Sequence, residues 1–228
     1  MQQIPRYYEA GAFTPFHDYF LSKPHAEKVF APGEYLWKPG ELLTRLYYIE
    51  SGLVQTSVEH ENGRRKILSF SGPGSINAIG QRQDFKLENS IVTRSITETR
   101  TLVIDNDLFY EMMGEKCELA LTVVEWHARL ANRLIYEVAH QEYNSLFIKL
   151  CNLLYLFSQS FPENREGSVS VTQTDLADIL AVNRVNVSKV LARLREEGII
   201  TTSRSSVQIT DFERLTEYCS LETRSDSH

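Results

Sequence analysis

The sequence predicts an α+β chain: an antiparallel β jelly roll, then one long dimerisation helix, then a C-terminal winged helix-turn-helix. Three observations carry that prediction. Residues 29–105 are cut into short β-rich runs by Gly, Pro and Asn at regular spacing. Residues 117–143 contain neither Gly nor Pro and repeat apolar residues at helical intervals. Residues 172–202, TQTDLADILAVNRVNVSKVLARLREEGIITT, read as two short helices around a tight turn, followed by a strand.

Pro32-Gly33 and Pro39-Gly40 mark turns, and Leu46-Tyr47-Tyr48-Ile49 is a short strand ending at Ser51-Gly52. Leu53 to His60 then pairs with Arg64 to Phe70 around Asn62-Gly63, the two-residue signal most favoured in tight hairpins. Gly72-Pro73-Gly74 breaks the chain, and Ser90–Ile96 and Thr99–Ile104 complete the roll. Asp105 or Asn106 caps a short helix, Asp107–Met113. In the long helix Leu119, Val123, Trp126 and Leu130 fall at 4-3-4 spacing, and Leu134 and Val138 continue by fours. That spacing suits either a coiled-coil seam or a helix covering an open face of the roll; its length favours the seam, and with it a homodimer. Leu146–Ser158 is a further helix, and Ser168–Val171 a strand entering the last domain. The organisation expected is therefore an N-terminal arm (1–28), a β roll (29–106), the short and long helices (107–144) and the winged domain (145–228). The arm carries Tyr7, Tyr8, Phe13, Phe16, Tyr19 and Phe20, which need a surface to pack on. That surface is the chain's own roll, the partner subunit or RNA polymerase, which makes the polymerase a candidate partner.

Composition narrows the class. The chain has 228 residues, with 24 Lys+Arg against 30 Asp+Glu. No apolar run approaches the ~20 residues of a membrane span, and no signal-peptide pattern opens the sequence, so a cytoplasmic protein without a membrane partner is expected. Cys117, Cys151 and Cys219 are far apart and odd in number, and none stands at a metal-ligand spacing, so neither a disulfide framework nor a metal is expected.

The last domain carries the chemistry. Thr172 and Asp175 form a capping pair, and Leu176, Ala177, Ile179 and Leu180 give the first short helix one apolar face. Ala181-Val182-Asn183 is the break, and Arg184 opens the second helix, whose Val187, Val190, Leu191 and Leu194 point inward. Its other side holds Arg184, Val185, Asn186, Ser188, Lys189, Arg193 and Arg195. Gly198 closes it, and Ile199–Thr202, a turn at Ser203–Ser206 and Val207–Thr210 make the wing. A basic helix face is often only a solvated one. Here, however, Val182–Arg195 holds four positive residues and no acid within an acidic chain, which is what local phosphate binding needs. The second helix is expected in the major groove of double-stranded DNA, with Thr172, those seven residues and wing residue Arg204 as candidate contacts. Arg193, Arg195 and Arg204 are expected on phosphates.

This order of elements resembles the cyclic-AMP receptor protein and FNR family of bacterial transcription regulators. The most specific pieces are Asn183–Leu191 (NRVNVSKVL) and Leu46–Val54 (LYYIESGLV), with Asn62–Leu68 (NGRRKIL) matching the family's hairpin. The resemblance implies a homodimer in which roll and long helix bind a small effector and pass the change to the DNA-binding domain through a hinge near Gln141–Ser145. Cyclic-nucleotide-binding members hold the ribose with Gly-Glu-Leu and the phosphate with Arg-Ser. The matching positions here read Asn77-Ala78-Ile79-Gly80 and Asn89-Ser90, without Glu or Arg, so cyclic AMP is not expected. The N-terminal cysteine cluster of oxygen sensors is absent too. Haem ligation by His17, His25 or His127, and oxidation of a cysteine, with Cys219 in an exposed terminal helix the one to suspect, stand as alternatives. Thr99-Arg100-Thr101 before the last strand is similar to the halorespiration-regulator branch, whose effectors are chlorinated phenolic acids. Candidate effector-binding residues are Ile79, Arg82, Lys86, Asn89, Ser90, Leu130, Arg133 and Tyr136; basic ones turned inward would select an anion such as an aromatic acid. No cofactor beyond that effector is expected. In many members the residue after the helix-opening Arg is Glu, which accepts from cytosine N4. Val185 stands there, so the family's TTGAT-like half-site is expected to become A·T at that step, close to TTAAT.

An enzyme is the rival class, because β rolls also house metal-dependent oxygenases. Those need His-x-His with Glu and a further His; the six histidines here are scattered, and no Gly-x-Ser-x-Gly occurs, so no catalytic residue is expected.

Overall fold

The computed structural model describes residues 7–38, 41–77, 91–160, 168–169 and 171–224. The chain forms two compact units: Tyr8–Ala128, and Arg129–His228 together with Met1–Tyr7.

The first unit opens with β1 (Tyr8–Glu9), a 3-10 turn (Thr14–Phe16) and α1 (His17–Leu21). Next come β2 (Ala26–Phe30), β3 (Tyr35–Trp37), β4 (Arg45–Ser51), β5 (Val54–Glu59), β6 (Arg65–Ser71), β7 (Ile76–Asn77), β8 (Ile91–Ser95) and β9 (Thr99–Asp105), then α2 (Asn106–Glu115) and α3 (Cys117–Tyr143). The strands build two sheets, ordered β1-β6-β5-β8-β3 and β2-β9-β4-β7. All pairs are antiparallel except β1 with β6. Successive side chains of a strand leave on opposite faces, which explains the unbroken apolar run of β4. Tyr47 and Ile49 join Phe30, Leu36, Trp37 and Val54 in one core. Leu46 and Tyr48, with Leu102 and Ile104 of β9, join Phe13, Phe16, Phe20, Phe109, Met112, Leu119 and Val123 in a second. The aromatic arm thus packs from Phe13 to Phe20 on its own roll.

Two expectations are corrected here. The β5–β6 hairpin does not turn on two residues: Glu59 pairs with Arg65, and His60 N donates to Arg64 O at 2.8 Å. Gly63, at φ 79°, adopts the left-handed conformation that closes the longer loop. Leu119 and Val123 are not seam residues, for both are buried in the roll's core with Trp126 packed against it. Leu134 and Val138 of the expected seam are exposed, and the exposed apolar stripe of α3 that includes Val138 runs Leu121, Val124, Ala128, Ala131, Ile135 and Val138, at 3-4-3-4-3 spacing. Ile135 and Val138 are 68% and 72% exposed, unusual for residues of this size.

The second unit contains the end of α3, then α4 (Leu146–Ser160), β10 (Ser168–Val169), α5 (Gln173–Leu180), α6 (Arg184–Glu196), β11 (Ile200–Thr202), β12 (Val207–Ile209) and α7 (Phe212–Tyr218). The three strands form a small sheet ordered β10-β12-β11. Leu150, Leu153, Leu154 and Phe157 of α4 are buried, as are Leu176, Ile179 and Leu180 of α5 and Val187, Leu191 and Leu194 of α6. Among the described residues no helix is long and apolar enough to cross a membrane.

Candidate nucleic-acid interface

The helix-turn-helix is built by local chemistry. Thr172 Oγ1 accepts from Asp175 N at 3.1 Å while Thr172 N donates to Asp175 Oδ2 at 3.2 Å, a reciprocal capping box that starts α5. Thr172 is therefore occupied in capping, with its hydroxyl also donating to Asp175 at 2.6 Å. Ala181 ends α5 in the left-handed region (φ 53°, ψ 40°), turning the chain sharply. Asn183 then caps α6 by accepting from Val185 N at 2.9 Å.

With three buried residues on one side of α6, the opposite side is fixed by helical geometry. Arg184, Val185, Asn186, Ser188, Lys189, Arg193 and Arg195 are all exposed. Val185 is 58% exposed at the first turn, an apolar group presented to solvent beside polar ones. Among the described residues Arg184, Lys189 and Arg204 form no side-chain hydrogen bond or ion pair, so their charges are uncommitted. The other two arginines are engaged. Arg193 Nε donates to Glu197 at 2.8 Å and its guanidinium stacks 4.0 Å from the Phe147 ring. Arg195 Nη1 donates to Thr202 Oγ1 at 2.9 Å, tying α6 to the wing. The wing turn is closed by Ser203, whose backbone N donates to Ser206 O at 2.9 Å and whose Oγ accepts from Ser206 N at 3.1 Å.

On the effector side, Ile79, Arg82, Lys86, Asn89 and Ser90 lie outside the described residues. Asn77, which begins the altered cassette, is buried on β7 opposite Tyr47. Leu130, Arg133 and Tyr136 fall in the second unit. Arg133 is buried against the Tyr7 ring, and Tyr136 shares a 2.5 Å hydrogen bond with Thr223, so both take part in internal packing. One group of polar residues had no signature in the sequence. Gln55 Oε1, Ser57 Oγ and Arg94 Nε are buried without a hydrogen-bond partner among the described residues. Gln55 lies directly opposite Arg94 in the β5–β8 ladder, and Ser57, two residues on, projects from the same face. Buried polar atoms left unpaired are costly, and a bound small molecule is one way to satisfy them.

The cysteines and histidines named for the alternative gates differ in their surroundings. Cys219 is buried rather than exposed, and burial raises its thiol to about 12; Cys151 is buried and raised by the same cause. Thiols held protonated in this way react slowly. Cys117 is exposed at the start of α3. His17 lies 3.2 Å from Glu50, His25 contacts Lys23 O at 2.8 Å, and His127 contacts Val123 O at 2.9 Å. No group of three or more His, Cys, Asp or Glu among the described residues is arranged to hold a metal.

Comparison with known proteins agrees with this geometry. Residues 27–116 match the model of the cyclic nucleotide-binding domain, and residues 128–218 that of the Crp-like helix-turn-helix domain. Transcriptional regulator LdrP of Thermus thermophilus is 31% identical over 192 residues, covering 82% of this chain and 94% of that protein. The CRP-like cAMP-activated global transcriptional regulator of Mycobacterium tuberculosis is 29% identical over 196 residues, 84% of each chain. Among solved structures, CprK complexed with OCPA superposes with a TM-score of 0.72 at 18% identity, over 92% of this chain and 97% of that one. A CRP-family transcriptional regulator, also from Thermus thermophilus, gives 0.67 at 27% identity, over 84% and 95%. A β roll, a long helix and a winged helix-turn-helix thus coincide with similarity over four-fifths of the chain, and the chain belongs to the Crp/Fnr family of transcription regulators.

Proposed function

We propose that the chain acts as a homodimer that reads an inverted repeat of A·T-rich, TTAAT-like half-sites and is gated by a small effector other than cyclic AMP. The carrying observation is the outer face of α6, where an exposed Val185 stands between the uncommitted Arg184 and Lys189. Valine offers no acceptor for cytosine N4 but packs on a thymine methyl. Arg184 and Lys189 then reach base edges or phosphates, and Asn186 and Ser188 flank them. Arg204 on the wing neutralises backbone phosphate. The apolar stripe of α3 supports the dimer, because a second copy of the helix covers it in the way coiled coils do. Two half-sites then lie about one DNA turn, ~34 Å, apart.

The effector reading rests on the missing Glu and Arg of the nucleotide cassette and on the unpaired polar atoms of β5 and β8. Arg82 and Lys86 suit an anion, and aromatic acids are the first class to test. The protein is a regulator rather than an enzyme in this reading, and works in the cytoplasm with RNA polymerase as a further partner. The test is selection from random duplex DNA by the purified protein, with and without a panel of small aromatic acids. An inverted repeat enriched only with one compound supports a ligand-gated reader and names its effector class. Equal enrichment without additions removes the gate from the proposal, and no enrichment under any condition contradicts the reading of α6.

A further inference from the structure

Val185, Lys189, Arg193 and Glu197 follow one another at intervals of four, so a row that begins on the outer face of α6 ends on an acid at the helix C-cap. A carboxylate is poorly placed there, because the last carbonyls of a helix already concentrate negative charge. Its neighbours offset that cost. Glu197 Oε1 accepts from Arg193 Nε at 2.8 Å, and Oε2 accepts from the Tyr218 hydroxyl at 2.8 Å. Arg214 Nη2 lies 3.8 Å from Oε2. Hydrogen bonds from Arg193 first, then Tyr218, hold the Glu197 carboxyl below the usual range, so it stays charged at neutral pH.

The carboxylate is fixed by α7 as well as by α6. Arg214 Nη1 donates to Glu197 O at 2.7 Å, and the Tyr218 ring meets that of Phe147, at the start of α4, edge-on at 5.0 Å. The Arg193 guanidinium, 4.0 Å from the same Phe147 ring, is therefore drawn to a place that α4 and α7 have already built. All of these residues belong to the unit that carries α6. The Arg193 side chain is nonetheless 56% exposed, one turn beyond the uncommitted Lys189. A phosphate approaching that part of α6 must compete with Glu197 for the guanidinium.

We propose that Glu197 sharpens DNA specificity by masking Arg193, so that one of the four cations between Val182 and Arg195 is withheld from sequence-independent phosphate contact. A phosphate contact strengthens binding to every sequence alike and steepens its salt dependence, by about 0.9 in the slope of log K against log salt. Base contacts come from the first turns of a reading helix, where Arg184 and Val185 stand, and the mask leaves them untouched. Glu197 is a positioning residue, acting on DNA only through Arg193. The inference rests on α6 as the helix that faces DNA.

The experiment is fluorescence anisotropy of the full chain on a labelled random-sequence duplex, titrated between about 50 and 200 mM KCl, a range over which phosphate contacts dominate the change in affinity. Native protein is compared with Glu197→Gln, Arg193→Ala, the Arg193→Ala/Glu197→Gln double variant and Arg184→Ala/Lys189→Ala. Glu197→Gln keeps the shape and the Tyr218 contact but removes the charge. It is expected to tighten binding at low salt and to steepen the slope by about 0.9, so that affinity falls about threefold further than the native protein's across the range. Arg193→Ala should keep the native slope, and the double variant should match it. Arg184→Ala/Lys189→Ala should flatten the slope, which reports on α6 independently of Glu197. The proposal is overturned if Glu197→Gln leaves the slope unchanged while Arg184→Ala/Lys189→Ala flattens it, or if the steepening persists without Arg193. A slope that none of the variants alters contradicts both the mask and the reading of α6.

Discussion

At the scale of single residues, the arginines of α6 separate into groups that the sequence could not distinguish. Helical periodicity placed Arg184, Arg193 and Arg195 outside the core, since Val187, Leu191 and Leu194 fix the buried side. It could not show that Glu197 and Phe147 hold Arg193, because Phe147 comes from a helix distant in sequence. Replacing Arg184 with Ala is therefore expected to weaken operator binding by roughly 1–3 kcal/mol if it is bidentate to a base, while leaving the unfolding midpoint unchanged. Arg193→Ala should do the reverse. It should lower the unfolding midpoint slightly, through loss of an exposed ion pair and ring contact, with little change in DNA affinity. Paired gel-shift titrations and urea unfolding of the two variants check both halves.

Among the elements, α3 shows most clearly what pattern reading resolves and what it misses. Its span, Cys117–Tyr143, follows from the absence of helix breakers. Two apolar stripes share that span, however, and spacing alone does not say which one meets the roll. The Leu119–Val123–Trp126 stripe packs on β4 and β9 residues far away in sequence, which leaves Leu121, Val124, Ile135 and Val138 exposed. The hairpin was legible as a hairpin but not in its loop length, because Gly63 serves equally in two- and three-residue turns. The end of α3 also carries a titrating group. The His140 ring lies 3.7 Å from that of Tyr136, tilted by 40°, and its Nδ1 lies against the side-chain amides of Asn144 and Asn152. Glu137, Glu222 and Lys149 face it, yet burial dominates and holds its pKa below 6.5. The folded state thus binds fewer protons than the unfolded one. Stability contributed by neutral His140 is complete above about 6.5 and is lost as pH falls through that value towards the lower folded pKa. The urea midpoint should drop between pH 7.5 and 5.5, and His140→Gln should lessen that drop; an identical drop in the variant would remove His140 as its cause.

For the whole molecule, the fold class and domain order were legible because each element announces itself locally through caps, turn residues and periodicity. The effector was not, since the groups that would bind it come from several strands and its cassette departs from the family pattern at Asn77–Gly80. Assembly can be tested on the exposed stripe. Ile135→Asp/Val138→Asp should shift the protein from dimer to monomer in sedimentation and abolish binding to an inverted repeat, while its helical circular dichroism is retained; a dimer persisting in that variant would place the interface elsewhere. The central claim is that the outer face of α6 reads DNA through Val185, and parallel selections on random DNA with the native chain and Val185→Glu test it most directly. The account predicts the same inverted repeat from both, with a single step in each half-site changed from A·T to G·C in the variant. Identical preferences at that step would contradict it.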